Sequence, residues 1–213
     1  CRCCAPKNRT AARGVASRRG QFCLSRPLQT HPGFSLLLRR QCGCTLSDAM
    51  RRESCESISK TLGLESLREL TWSMLEQLRD QIDELSFLRA EHVVRETERT
   101  LEFVRCMKNA DWLQAGEVLY QSHASLREKF QVSCVELDEL VDVARQIGTV
   151  GGVLGARMTG AGFGGCVVIL VEREKASDVV FKIVEDYNKM GATLSRPRAS
   201  GFVADSAEGA QVK

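Results

Sequence analysis

From Arg51 onward, apolar residues recur at spacings of three and four, the signature of amphipathic helices. Residues 51–62 form a first helix, stopped by Gly63. Thr71 caps a short helix that runs to about Asp80. Phe87, Ala90, Val94, Thr97, Leu101 and Val104 make one stripe, which predicts a long helix over about 86–108. Its opposite face carries Glu91, Arg95, Glu98, Arg99 and Glu102, read as a solvated charge set. Asn109-Ala110-Asp111 breaks that helix, and Asp111 caps the next. There Trp112, Ala115, Leu119, Ser122 and Leu126 share a stripe that ends near Phe130, so two long antiparallel helices follow one another. Ser133 is read as the cap of a further helix through Leu137, Leu140, Val141, Ala144 and Ile147.

Glycines take over at Gly148 and the period changes. Val153–Met158 reads as a strand, and the continuous apolar run Cys166–Val171 as a central one. Ala176–Met190 is helical, with Val180, Ile183, Val184 and Tyr187 inward and Gly191 as the stop. Gly201–Ala204 and Ala210–Val212 are candidate closing strands. The fold class is α+β, with helices first and then a small, mostly antiparallel sheet crossed by one helix.

Composition divides the chain near residue 50. Residues 1–50 carry nine basic residues and one acid, Asp48, whereas residues 51–213 carry 21 basic and 26 acidic. So sharp a split argues against a nucleic-acid binder spread over the whole chain. Residues 1–50 show neither helical nor strand period, and we expect disorder or a non-homologous extension there. An Arg-rich, acid-poor targeting segment and a spliced or out-of-frame extension fit that composition equally. The first residue is Cys1 rather than Met, so we expect the natural N-terminus to lie upstream. Cys42-Gly-Cys44 and Cys1-Arg-Cys3-Cys4 lack the ligand spacing of a zinc site. Cys55, Cys106, Cys134 and Cys166 sit in apolar, periodic settings, as reduced core thiols of an intracellular protein do. No run is long enough to span a bilayer, so no membrane partner is expected.

The candidate chemistry lies in one loop, Gly160-Ala161-Gly162-Phe163-Gly164-Gly165, between the two predicted strands. Glycine costs backbone entropy, so a cluster signals positive φ or main-chain N–H groups laid bare against a ligand. Consecutive bare N–H groups form a concavity suited to phosphate. Gly160, Gly162 and Gly165 satisfy G-x-G-x-x-G, but the dinucleotide motif must open a helix, and a strand follows here. With Val167 the run also satisfies the protein-kinase loop, yet only 46 residues remain and neither H-R-D nor D-F-G occurs. A tight turn with purely conformational glycines is the plain alternative.

The run Gly155-Ala-Arg-Met-Thr-Gly-Ala-Gly-Phe-Gly-Gly-Cys166 resembles the third motif of the GHMP small-molecule kinases, in the form found in galactokinases. Arg51-Arg52…Cys55-Glu56 and Leu62-Gly63…Ser66-Leu67-Arg68 resemble the start of the galactokinase C-terminal half. Arg89-Ala-Glu-His92-Val-Val…Glu96…Arg99-Thr100, Ser122-His123-Ala-Ser125-Leu126-Arg127, Val132-Ser133-Cys134-Val-Glu136-Leu137-Asp138 and Glu208-Gly209-Ala210 continue the likeness in order. The resemblance thus covers about residues 51–213. It implies a GHMP-kinase C-terminal domain, with helices packed on a ferredoxin-like core. It further implies a cytoplasmic enzyme using ATP and Mg2+ to phosphorylate galactose at its anomeric hydroxyl.

By that resemblance, Gly160, Ala161, Gly162, Phe163, Gly164 and Gly165 are the phosphate-side loop, beside the junction of two lobes. Ala161 stands where many members have glycine, a modest change unless that position needs positive φ. The family's sugar-holding motif, its serine-rich phosphate loop and its catalytic Asp do not occur in this sequence, and Ala49-Met50 replace a Tyr-Pro. No catalytic residue is therefore assigned. The expectation is a lobe that is inactive alone and presents an apolar inter-lobe face able to recruit a partner. A non-catalytic regulatory module and a related kinase for another sugar are the alternatives. His92 and His123 are read as packing or hydrogen-bonding residues rather than catalytic ones, since no base–nucleophile partnership is evident in the pattern.

Overall fold

A computed structural model describes residues 46–191 and 198–204, with side chains placed from residue 51 onward. All of them belong to one compact unit. The order is α1 (Leu46–Thr61), a 3-10 turn (Leu67–Glu69), α2 (Trp72–Gln77), α3 (Glu84–Lys108), α4 (Trp112–Glu128), α5 (Val135–Ile147), β1 (Val153–Thr159), β2 (Cys166–Val171), a second 3-10 turn (Arg173–Lys175) and α6 (Ala176–Gly191). This is the α+β domain expected. Among the described residues its sheet is a single antiparallel pair, β1 against β2. None of the described helices is long and apolar enough to cross a membrane.

The caps explain most helix limits. Thr71 Oγ1 accepts the Met74 N–H, Asp83 Oδ1 that of Ser86, and Asp111 Oδ1 that of Gln114. α1 begins at Leu46, inside the stretch expected to be disordered; no glycine or proline falls between Cys44 and Leu62, so extending the helix upstream is cheap. α2 stops at Gln77, short of Asp80. Cys134 rather than Ser133 is the N-cap of α5; the Ser133 hydroxyl instead donates to Asp138 Oδ1, inside the helix.

Apolar side chains gather in three clusters. Ile58, Leu67, Leu70, Leu75, Leu78, Phe87, Ala90 and Val94 join α1, α2 and the first half of α3. Phe103, Cys106, Trp112 and Ala115 join the far end of α3 to α4, together with Leu154 and Leu170 from the sheet. The largest cluster unites α4, α5 and α6 with Ala156, Met158, Val167 and Ile169. Strand alternation would put Leu154, Ala156 and Met158 on one face. A register irregularity between Val153 and Gly155 resets the count, so Val153, Ala156 and Met158 share a cluster with Val167, Ile169 and Val171. Arg157 is thereby placed to reach α3.

Two expectations fail, and a third, for α6, holds except that it leaves out Val179. On α3 the apolar stripe turns away after Val94: Thr97, Leu101 and Val104 are exposed, Leu101 by 69%. The helix buries His92 and Cys106 instead, with Glu96, Arg99 and Phe103 partly covered, so Arg99 does not belong to a solvated face. On α6 the buried set is Val179, Ile183 and Tyr187, with Val180 and Val184 only partly covered. Residues 198–204 form no strand. They are held by the Asn188 side chain, which accepts the Ala199 N–H at 2.8 Å and donates to its carbonyl at 3.2 Å. Ala210–Val212 lies outside the described residues.

Candidate functional site

The Gly160–Gly165 loop joins β1 to β2 in a backbone path that few residues could follow. Gly160, Gly162, Gly164 and Gly165 have φ of +97°, +87°, +122° and +114°, and Phe163 has +55°. L residues rarely adopt such angles, so here the glycines are required by geometry. Ala161 is outside the positive-φ set and is exposed, which explains why a methyl group is tolerated there. A Cβ built on Gly160 would meet nothing within 4 Å, so that side of the loop is open. A Cβ on Gly162 would lie 2.4 Å from the Val132 carbonyl oxygen. The same oxygen accepts the Phe163 N–H at 2.7 Å. The loop is thus moulded on the turn before α5 and presents bare main chain on its other side.

The strand that enters the loop is tied to α3 and α4 by a partly buried polar network built from the sequence segments noted above. Glu96 on α3 accepts Ser122 Oγ at 2.7 Å, Arg99 Nη2 at 3.3 Å and Arg157 Nη1 at 3.4 Å. One carboxylate therefore joins α3, α4 and the strand that enters the loop. A partly buried carboxylate with three donors is well satisfied, whereas removing it would strand two guanidinium charges. Burial draws the Arg157 pKa down, and Glu96 opposes that.

Both histidines lie inside. His92 Nδ1 is 2.8 Å from Ser125 Oγ and 4.0 Å from Glu96 Oε2, and its ring stacks on Phe130 at 4.6 Å. Burial, helped by the charges of Arg99, Arg157 and Lys129, pushes its pKa down to about 4 against the pull of Glu96. Nδ1 of His123 accepts the Met158 N–H at 3.3 Å, so in the neutral ring Nε2 carries the proton, 3.2 Å from Asp138 Oδ1. His123 is shifted the same way, first by burial. The Ser125 hydroxyl that meets His92 is itself buried between α3 and α4, away from the open side of the loop. The two histidines hydrogen-bond α3 to α4 and α4 to β1, as expected of structural residues.

Chemically, the loop offers conformation and main-chain groups, without a general base among its six residues. Among the described residues no group of three or more His, Cys, Asp or Glu stands together to hold a metal ion. The loop was legible in the sequence through its glycines. Residue type and spacing give no role to Glu96, Ser125 or Arg157, and place Ser122 only in the α4 stripe, although each lies in a segment that carries the resemblance.

Comparison with known proteins places this geometry. Residues 103–189 match the family described as GHMP kinases C terminal. The chain is 41% identical over 163 residues to the galactokinase of Homo sapiens, covering 76% of this chain and 39% of that protein. It is 42% identical over 139 residues to the galactokinase of Thermotoga petrophila, covering 65% of this chain and 38% of that one. The solved structure of Lactococcus lactis galactokinase complexed with galactose superposes with a TM-score of 0.73 at 31% identity, over 86% of this chain and 47% of that one. L. major mevalonate kinase shares the fold, with a TM-score of 0.50 at 16% identity. The chain spans about two-fifths of the length of the curated relatives it matches. It carries a GHMP-kinase C-terminal domain of the galactokinase type.

Proposed function

We propose that this chain is the C-terminal lobe of a galactokinase-like, ATP-dependent sugar 1-kinase, a cytoplasmic enzyme that moves the γ-phosphoryl group of ATP to the anomeric hydroxyl of galactose. The observation that carries the reading is the loop itself: four glycines at positive φ, anchored on Val132 at one side and open at the other. Such a backbone suits phosphate oxygens, and phosphoryl transfer depends on positioning and charge stabilisation more than on covalent help. Gly160, Ala161, Gly162, Phe163, Gly164 and Gly165 form the phosphate side of the nucleotide site in this reading. Galactose is favoured over other acceptors because the galactokinases match at 31–42% identity, against 16% for the mevalonate kinase. Mg2+ enters by family resemblance alone, since no metal-holding cluster stands among the described residues.

The same reading makes the 213-residue polypeptide inactive by itself. Its sequence holds no counterpart of the sugar motif, the serine-rich phosphate loop or the catalytic Asp. Incubated with ATP, Mg2+ and galactose, the purified chain is expected to form no galactose 1-phosphate, and measurable turnover would overturn this. A chimera tests the positive half. The portion of human galactokinase that this chain does not span is joined ahead of Leu46, so that α1 stays whole. The chimera is expected to phosphorylate galactose in preference to mevalonate and other acceptors. A folded chimera that transfers phosphate to another acceptor and not to galactose would assign the lobe to a different kinase.

A further inference from the structure

We propose that Arg51 is a positioning residue for the Gly160–Gly165 loop, acting from α1, more than a hundred residues upstream, through the turn on which that loop is moulded. Arg51 lies on α1 and is 6% exposed. Its Nε donates to the Phe130 carbonyl at 2.7 Å, and Nη2 donates to the next carbonyl, that of Gln131. Its guanidinium carbon Cζ also lies over both rings, 4.8 Å from the centroid of Phe163 and 5.9 Å from that of Phe130. One side chain therefore holds both partners of the loop contact. The 130–132 turn supplies the Val132 oxygen that receives the Phe163 N–H and walls off Gly162. Phe163 is the one loop residue that keeps a side chain at positive φ.

The chemistry is specific to arginine. A planar fork of donors spans two successive carbonyls and presents a face to an aromatic ring, whereas a lysine offers one point charge. Phe163 at φ +55° is strained backbone for a bulky residue, and such strain persists only where the surroundings hold it. Arg51, Val132 and the loop glycines supply that hold. The consequence for function rests on the phosphate-side reading of the loop: Arg51 preorganises main chain that would otherwise have to order itself around the nucleotide.

Amide hydrogen exchange on the full 213-residue chain tests this without any nucleotide. Arg51→Lys is expected to speed exchange about tenfold in peptides covering 130–133 and 160–165, as for loss of a charged hydrogen bond and a stacked cation. Peptides from α6 and the far half of α3 should keep wild-type rates. Phe163→Leu should loosen the loop less, and the double variant should add little to Arg51→Lys, since that change already removes the ring contact that Phe163→Leu removes. Wild-type loop exchange in Arg51→Lys would overturn the proposal. So would uniform loosening of the whole domain, or strict additivity of the two changes. The phosphate-side reading fails or survives separately, on turnover of the chimera.

Discussion

His92 is held neutral in the interior, and a pH dependence of folding follows. Unfolded histidine titrates near 6.5, while folded His92 is pushed down to about 4. Above about pH 6.5 neither state binds the proton, so the domain has its full stability. Between about 6.5 and 4 the unfolded chain takes up a proton that the folded chain refuses, and stability falls with pH, by up to about 3 kcal/mol for this one group. The charged groups acting on the ring are Glu96, Arg99, Arg157 and Lys129, and His123 moves in the same direction. Urea titrations at pH 7.5, 6 and 5 should give a declining midpoint, and His92→Gln should flatten part of that decline. An equally steep decline in the variant would contradict the role given to His92. At this scale the glycines of the loop were readable because their conformational demand is written in the residue type. The Glu96 network was not: Ser122 and Arg157 are 26 and 61 residues away, and helical periodicity treats a glutamate as solvent-facing.

Between elements, glycine meets glycine at close quarters where α4 crosses β1. A Cβ on Gly116 would lie 1.9 Å from the Leu154 carbonyl oxygen, and one on Gly155 would lie 2.4 Å from the Gly116 Cα. The obstacle is backbone on both sides, so no side-chain rotation relieves it. Gly116→Ala, although favourable for an isolated helix, should destabilise by about 3 kcal/mol. That is about 6–12 °C in the thermal midpoint for a domain of this size. A calorimetric midpoint within a degree or two of wild type would show that α4 and β1 do not meet this way. Helix order, the two strands and most caps were legible because period and cap chemistry are local. The inward face of α3 was misread beyond Val94, because there the helix buries charged and polar residues that pair with α4 and β1. The expected strand at Gly201–Ala204 does not form, and the Ala199 backbone just before it pairs with the Asn188 side chain of α6.

For the whole molecule, the domain answers a question of kinship more fully than one of activity. Segments that are far apart in the sequence converge on one loop and the strand that enters it. α1 contributes Arg51, α3 Glu96, α4 Ser122 and His123, the turn before α5 Val132, and β1 Arg157. Sequence pattern identified these segments but not their meeting place, because neither periodicity nor motif spacing encodes which helix faces which strand. The central claim is that the loop they support receives nucleotide phosphate. Its most direct test is galactose phosphorylation by the chimera with and without Gly162→Val, whose side chain would collide with the Val132 carbonyl at a φ of +87°. The expected result is turnover in the parent chimera and a loss of at least about a hundredfold in kcat/KM for ATP in the variant, with the fold retained by circular dichroism. Contradiction would come from a folded variant whose turnover and KM for ATP match those of the parent, or from a folded parent chimera with no turnover.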